Sequence, residues 1–484
     1  MKTTANRVIS LLLTILIVTG IMAVMPVTAN GASTEDKQFQ YKILSDNTVH
    51  IVRFTGAKSS NREQVITVPD TIEDKPVTSI EYMAFRNIFA DTVNMGKNIE
   101  SIDKSAFTKC YINKIKVDSD NKYFCDIDGV LFNKSKTKLI AYPNNSNSGY
   151  SIPKGTKVIG ASAFYYSEIQ AVKIPNTVVK IENSAFSLCN KLANVVIPNS
   201  VTDIDTYAFH LCSKLKTITL GKKLKTIGKG AFSDCGKLKE IKIPNSVTTI
   251  EDGTFGFCDK LEKITFGKAV KNIDGKAFEY STGIKEIKVS AQNKYFSSKD
   301  GVLFNKDKTI LYIFPSAKNL KTYTVPKSVK KIASKYGAFY NCKYLTKVVI
   351  GKNVKKISSR AFDYSSKLKS ISVSSANKKF SSKAGVLYNK NKTSIIRYPE
   401  GKTSKSYTVA GSVKNIVDLS FWNNTSLKKV TVPKTVKSMA KCGMGLYDNM
   451  YDDMTRVSGF KLYGKKGSAA EDYAKDYNLK FVAN

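Results

Sequence analysis

The chain has 484 residues, of which 77 are Lys or Arg and 39 are Asp or Glu, a formal net charge of +38. With 42% hydrophobic and 24% charged residues it carries enough apolar material for a core, which excludes wholesale disorder, a collagen-like fibre and a multi-span membrane protein. Seven of the basic residues are Arg and two further residues are His; lysine lacks arginine's planar fork, so the charge speaks for diffuse attraction to an anionic partner and against specific nucleic-acid reading.

In chain order, Lys2 and Arg7 precede an apolar run over residues 8–25, followed by Pro26 and small residues up to Ala32. This pattern predicts a secretory leader over 1–32 with cleavage after Ala29 or Ala32, an uncleaved membrane anchor being the alternative. Residues 33–80 are expected to hold a capping hairpin, centred on 39–54, and the first repeat strand. A solenoid is expected over 81–443.

The solenoid is read from the dipeptide Ala-Phe. Between Phe164 and Phe278 successive phenylalanines lie 22, 23, 23, 23 and 23 residues apart, a fixed period in which each unit buries its apolar face only against its neighbours. One unit runs Leu192-x-x-Val195-x-Ile197-Pro198-Asn-Ser-Val201-x-x-Ile204-x-x-x-Ala208-Phe209-x-x-Cys212. The alternation at its start predicts a short strand, Pro or Gly a turn, Val-x-x-Ile a second inward-facing segment, and Ala-Phe-x-x-Cys a short helical or 3₁₀ turn on a third side.

Three longer gaps, of 57, 61 and 59 residues after Phe107, Phe278 and Phe362, each contain a second motif. It reads Gly129-Val-Leu-Phe-Asn-Lys-Ser-Lys136, Gly301-Val-Leu-Phe-Asn-Lys-Asp-Lys308 and Gly385-Val-Leu-Tyr-Asn-Lys-Asn-Lys392. Strand-like runs flanking a polar turn predict β-hairpins inserted near 117–143, 289–315 and 373–399 without loss of phase. Residues 444–484 are expected to form a C-terminal cap, in which Ser468-Ala-Ala-Glu471 is a capping box opening a short helix with Ala470, Tyr473, Ala474 and Tyr477 on one face.

The repeating unit together with the Gly-Val-Leu-Tyr-Asn-Lys hairpin resembles the BspA-type leucine-rich repeat proteins of bacterial surfaces, over roughly residues 40 to 484. The resemblance implies an α/β leucine-rich solenoid of 22–23-residue units with parallel sheets, a secreted or cell-surface location, and a binding role, often adhesion, without shared catalytic residues. Thr254-Phe255 and Ser420-Phe421 depart from the Ala-Phe pattern.

Candidate chemical sites are thin. Six of the eight Cys sit three residues after a unit's Phe, where other units carry Ser, Asn or Ile, so they are expected to pack as small buried thiols, with disulfides between neighbouring units as the alternative. Asp118-x-Asp120 and Asp126-x-Asp128-Gly129 suggest a calcium loop, but the matching stretches before Gly301 and Gly385 lack most of these carboxylates. Gly401-Lys402-Thr403 imitates a phosphate loop without its first glycine or its strand–helix setting. His50 and His210 fit no recognisable triad. No metal or cofactor is expected.

The lysines carry the functional content. Outward positions of the first strand include Lys173, Lys216, Lys242 and Lys288; the second segment places Lys330, Lys331, Lys355, Lys356, Lys414 and Lys437 outward. In stacked units such residues form columns at about 5 Å spacing, inside the Debye length of about 8 Å. The expected function is a secreted or surface-displayed, non-enzymatic binding protein. Its partner is an anionic polysaccharide or cell-wall polymer, or a host or bacterial surface protein, and a membrane only if the leader is retained. A secreted polysaccharide hydrolase and a passive spacer are the alternatives, since carboxylate pairs leave no sequence signature and a cationic face also keeps a long solenoid soluble. The charge is regional: residues 301–440 hold 29 basic and 4 acidic side chains.

Overall fold

The computed structural model of the protein describes residues 38–56, 64–144, 149–333, 337–439, 441–448 and 454–484. The leader expected over 1–32 lies outside the described residues.

Each unit makes one coil, and its strands pair with the neighbouring coils rather than with each other. On the first side Gly149–Ser151, Ala171–Lys173, Asn194–Val196 and Thr217–Thr219 form a parallel ladder. On the second, Val158–Ile159, Lys180–Ile181, Asp203–Ile204 and Thr226–Ile227 do the same. The register stacks like on like, with Ile181 beside Ile204 and Ile204 beside Ile227, so one coil's inward residues cover the next coil's. That is the physical content of the fixed period: a one-residue slip would turn the isoleucines to solvent.

The third side is a stack of turns and not a helix. In one coil the N–H groups of Ala208, His210 and Cys212 reach back three residues to Asp205, Tyr207 and Phe209, which are 3₁₀-type bonds. The alternate N–H groups, on Tyr207, Phe209 and Leu211, donate across to the carbonyls of Lys229, Ala231 and Ser233 in the next coil. Tyr207 and Leu211 adopt φ of 57° and 59°, a left-handed conformation that interrupts a right-handed helix and turns every second N–H outward along the solenoid. Gly230 takes the first of these positions at no steric cost.

Inside, the phenylalanines form a column. Phe164, Phe186, Phe209, Phe232, Phe255 and Phe278 stack with ring centroids 4.7–5.8 Å apart and planes within 14°. Full burial of each such side chain contributes about 1.5–3 kcal/mol.

Each insert is a three-stranded meander, one strand more than the hairpin predicted from the Asn-Lys turn. In the second, Phe296–Lys299 runs antiparallel to Val302–Asn305, which runs antiparallel to Ile310–Ile313. The added turn holds two left-handed residues, Asp300 and Gly301, the geometry of a tight two-residue hairpin loop. The last strand pairs parallel with Lys331–Ile332 and so re-enters the second ladder. The residue that follows, Tyr142, Phe314 or Tyr398, then supplies the aromatic rung, 4.7–5.6 Å from the next Phe. Buried Asn121, Asn293 and Asn377 clamp the inserts: each amide donates to two carbonyls of the preceding coil while its oxygen accepts two N–H groups of the insert.

Both ends are covered. Phe39–Ile43 and Val49–Phe54 form an antiparallel hairpin, the second strand of which pairs with Lys75–Ile80. At the other end the helix Ala469–Asp476 buries Ala470, Tyr473 and Ala474. Its expected capping box does not close: the Ser468 hydroxyl donates to Lys465 O, and Glu471 accepts the N–H of Gly467.

Candidate functional site

The second ladder gathers part of the expected lysine set. Lys331 lies in direct register with Lys356, and Lys355 N–H donates to Lys330 O at 2.7 Å, so these four side chains occupy two adjacent rungs. All four are exposed. Lys414 and Lys437 form a second pair on adjacent rungs, Lys437 N–H to Lys414 O at 2.7 Å. The third insert stands between the two groups, so the six lysines make two patches and not one column. At rung spacing, two unit charges in water repel by about 0.8 kcal/mol before screening.

The first-ladder lysines do not form a column. Lys242 and Lys288 share a register line, but Thr265 stands between them, and Lys288 Nζ lies 3.6 Å from Glu286. Lys173 is exposed at the end of its strand, where the line continues through Val196 and Thr219. Lys216 precedes its strand Thr217–Thr219 and falls on a different line. Along this line Lys173, Val196, Thr219, Lys242, Thr265 and Lys288 follow one another, so no two neighbouring rungs carry Lys, which sequence spacing without register does not reveal.

A true first-ladder column lies at the C-terminal end and was missed. Lys429, Lys461 and Lys480 are register partners on three consecutive rungs, all exposed. Lys429 Nζ sits 4.5 Å above the Tyr463 ring, a cation–π contact that orients it. Only the first of these strands carries the repeat motif; the third follows the terminal helix, so periodicity could not find it.

Ion pairing separates two halves of the molecule. Lys138, Lys180, Lys191, Lys229 and Lys285 lie 2.6–3.2 Å from carboxylates. Among the described residues no lysine beyond Lys288 makes such a pair; the ion pair found there is Arg397 with Asp363, at 2.8 Å and buried. Nor is every C-terminal lysine free. Lys306 and Lys390, like Lys134 in the first insert, each donate from Nζ to two backbone carbonyls and hold their meanders shut.

The other candidates resolve into structure. Asp126 accepts the Val117 N–H at 2.9 Å, the bond that Ser298 and Ser382 make to Val289 and Val373 in the other inserts, so its carboxylate is not needed for a cation. Among the described residues no group of three His, Cys, Asp or Glu is placed to hold a metal. Lys402 Nζ donates to Ala384 O and stands over the Tyr398 ring. His50 contacts Glu81 at 2.9 Å, and His210 is enclosed 3.7 Å from Asp234. All eight cysteines are free thiols, seven of them buried. Cys189, Cys212, Cys235 and Cys258 each donate to the carbonyl of the Phe one coil back, as Ser281 and Ser365 do.

The model of the BspA type leucine rich repeat region matches the chain over residues 64–151, 157–285 and 308–443. No curated protein matches it in sequence. Among solved structures, a leucine rich cell surface protein from Faecalibacterium prausnitzii is 21% identical, with 92% of this chain and 97% of that chain covered and a TM-score of 0.44. A leucine-rich repeat protein from Eubacterium ventriosum is 23% identical, covering 70% and 90%, with a TM-score of 0.45. The pneumococcal vaccine antigen PcpA is 20% identical, covering 94% and 99%, with a TM-score of 0.39.

Proposed function

We propose that this chain, which belongs to the BspA-type leucine-rich repeat family, is secreted to the cell surface and binds anionic polymers there through the unpaired lysine rungs of its C-terminal half. Family membership is consistent with a non-catalytic binding role. The observation that carries the finer reading is the adjacent-rung patch of Lys330, Lys331, Lys355 and Lys356, which among the described residues makes no ion pair with a carboxylate. Each added rung raises the repulsion among its neighbours, and an extended polyanion laid along the rungs relieves it and releases its own counterions. A linear polymer with an anionic group at each repeat, such as a teichoic acid or a sulfated glycan, fits this spacing better than a compact protein surface.

The test is binding of the full chain to teichoic-acid and sulfated-glycan arrays over a salt series. Log affinity should fall linearly with log salt, and exchanging Lys330, Lys331, Lys355, Lys356, Lys414 and Lys437 for Gln should flatten that line by about 4 in slope. Unchanged binding of this variant at about 0.15 M salt would sink the proposal. Sustained release of sugars from the same polymers would instead favour the hydrolase, and the absence of any saturable ligand the spacer.

A further inference from the structure

The second insert interrupts the phenylalanine column and leaves Phe278 only partly covered. Over the gap the third side opens into a cleft of about 310 Å³, bounded by Phe278, the Phe314-Pro315 corner and the next two coils. That volume lies at the small-ligand end of known binding cavities.

Three tyrosines from separate coils line it. Tyr280 stacks on Phe257 at 4.8 Å, and Tyr340 meets Tyr364 edge-on at 5.1 Å. Tyr364 donates its hydroxyl to Asp448 at 2.6 Å and is thereby fixed by the C-terminal segment. The charged residues of the lining are Glu279, Asp363 and Asp448 on one side of the balance and Lys276 and Arg360 on the other. Asp363 is itself held from behind by the buried Arg397 guanidinium.

The local charge is out of character. Beside the stretch 301–440, with its 29 basic and 4 acidic residues, the cleft wall sets three carboxylates against two cations, of which Asp363 and Arg360 come from the stretch itself. A small anion entering it meets three carboxylates, and a cation meets Arg360, Lys276 and the field of the whole cationic half. A neutral ligand with hydroxyls that both donate and accept, and with a C–H face to lay on an aromatic ring, suits every wall. We infer that this cleft is a binding site for a neutral saccharide unit, distinct from the lysine rungs. The two sites share no residue, so each stands or falls separately.

Saturation-transfer NMR and calorimetry on the full chain would test it. The probes are glucose, galactose and N-acetylglucosamine as monomers to tetramers, with inorganic sulfate and putrescine as charged controls. At least one neutral sugar should bind saturably, with an affinity that does not move with salt. Tyr280→Ala should weaken it about tenfold or more, while Gln at positions 330, 331, 355 and 356 should leave it unchanged. Because the ring also packs on Phe257, the near-isosteric Glu279→Gln serves as a second variant, expected to weaken binding severalfold with the fold retained by circular dichroism. No sugar binding at millimolar concentration, a preference for either charged control, or sugar binding that survives both substitutions would overturn the inference.

Discussion

Glu400 offers a quantitative test of how the third insert is packed. It follows Tyr398 and Pro399, at the place taken by Asn144 and Ser316 in the other two inserts, which bond there to the carbonyls of Phe107 and Ser281. Its Oε2 is enclosed and has no hydrogen-bond partner among the described residues. Burial pushes the carboxyl up from 4.5 to about 8, Asp363 adding to the rise and Arg397 opposing it. Between these two values the folded chain holds a proton that the unfolded chain has released, so stability falls as pH rises through the window and levels off above about 8. At pH 7 the penalty is about 3 kcal/mol, and above pH 8 about 5 kcal/mol, at about 1.4 kcal/mol for each tenfold in proton activity. Glu400→Gln keeps the shape and removes the titration. The variant should match the parent near pH 4.5 and exceed it by about 3 kcal/mol at pH 7. Urea unfolding followed by Trp422 fluorescence is the suitable assay. Trp422 is the single tryptophan, and the adjacent Phe421 stacks on Tyr398 at 5.1 Å, so it reports this coil even if the solenoid does not unfold all at once. Parallel profiles for parent and variant between about pH 5 and 8 would refute the reasoning.

The remaining outcomes follow from the same packing. Arg397→Ile leaves Asp363 buried without its partner and should lower local stability by about 3–5 kcal/mol; adding Asp363→Thr, the residue found at the matching position Thr108 in the first insert, should return most of it in the same assay. Of eight thiols, Cys125 alone is not buried, and burial pushes Cys110, Cys212, Cys342 and Cys442 up to about 12. Native titration with an aromatic disulfide reagent should therefore count about one reactive thiol, and denatured protein all eight.

Much of the architecture was open to reading because each coil repeats its neighbour's chemistry. Ala-Phe spacing located the aromatic column, and the glycines of the Gly-Val-Leu motif, in phase with the preceding Phe, showed that the inserts keep the phase of the repeat. What could not be read depended on hydrogen bonds between coils. The third side escapes the helix because residues such as Tyr207 and Leu211 turn their N–H groups to the next coil. Whether a lysine is free depends on partners such as Asp205 for Lys180, one coil away, and those follow from register rather than composition. The saccharide cleft escaped for the same reason: Tyr280 and Tyr340 are separated by an insert that leaves no trace of what it uncovers.

Register also shows that the cationic half is not a requirement of the fold. The residue after the second-ladder isoleucine is Glu182, Asp205, Gly228, Glu251 or Asp274 in the middle coils, acidic in four of the five, and Ala333, Ser358 or Val417 in the C-terminal ones. The backbone accepts both sets, so the lysine excess costs repulsion that the coil geometry does not impose. Ser358→Asp restores the arrangement of Lys180 with Asp205, placing a carboxylate within reach of Lys331. If the excess serves only to keep the solenoid soluble, this change should raise stability by about 0.2–1 kcal/mol and alter nothing else. If it serves the proposed polymer, the same change should raise stability and lower affinity together, reducing the salt slope by about 1. A stability gain measured by thermal unfolding, with glycan-array affinity and its slope unmoved, would assign the lysines to solubility and remove this patch from the binding face.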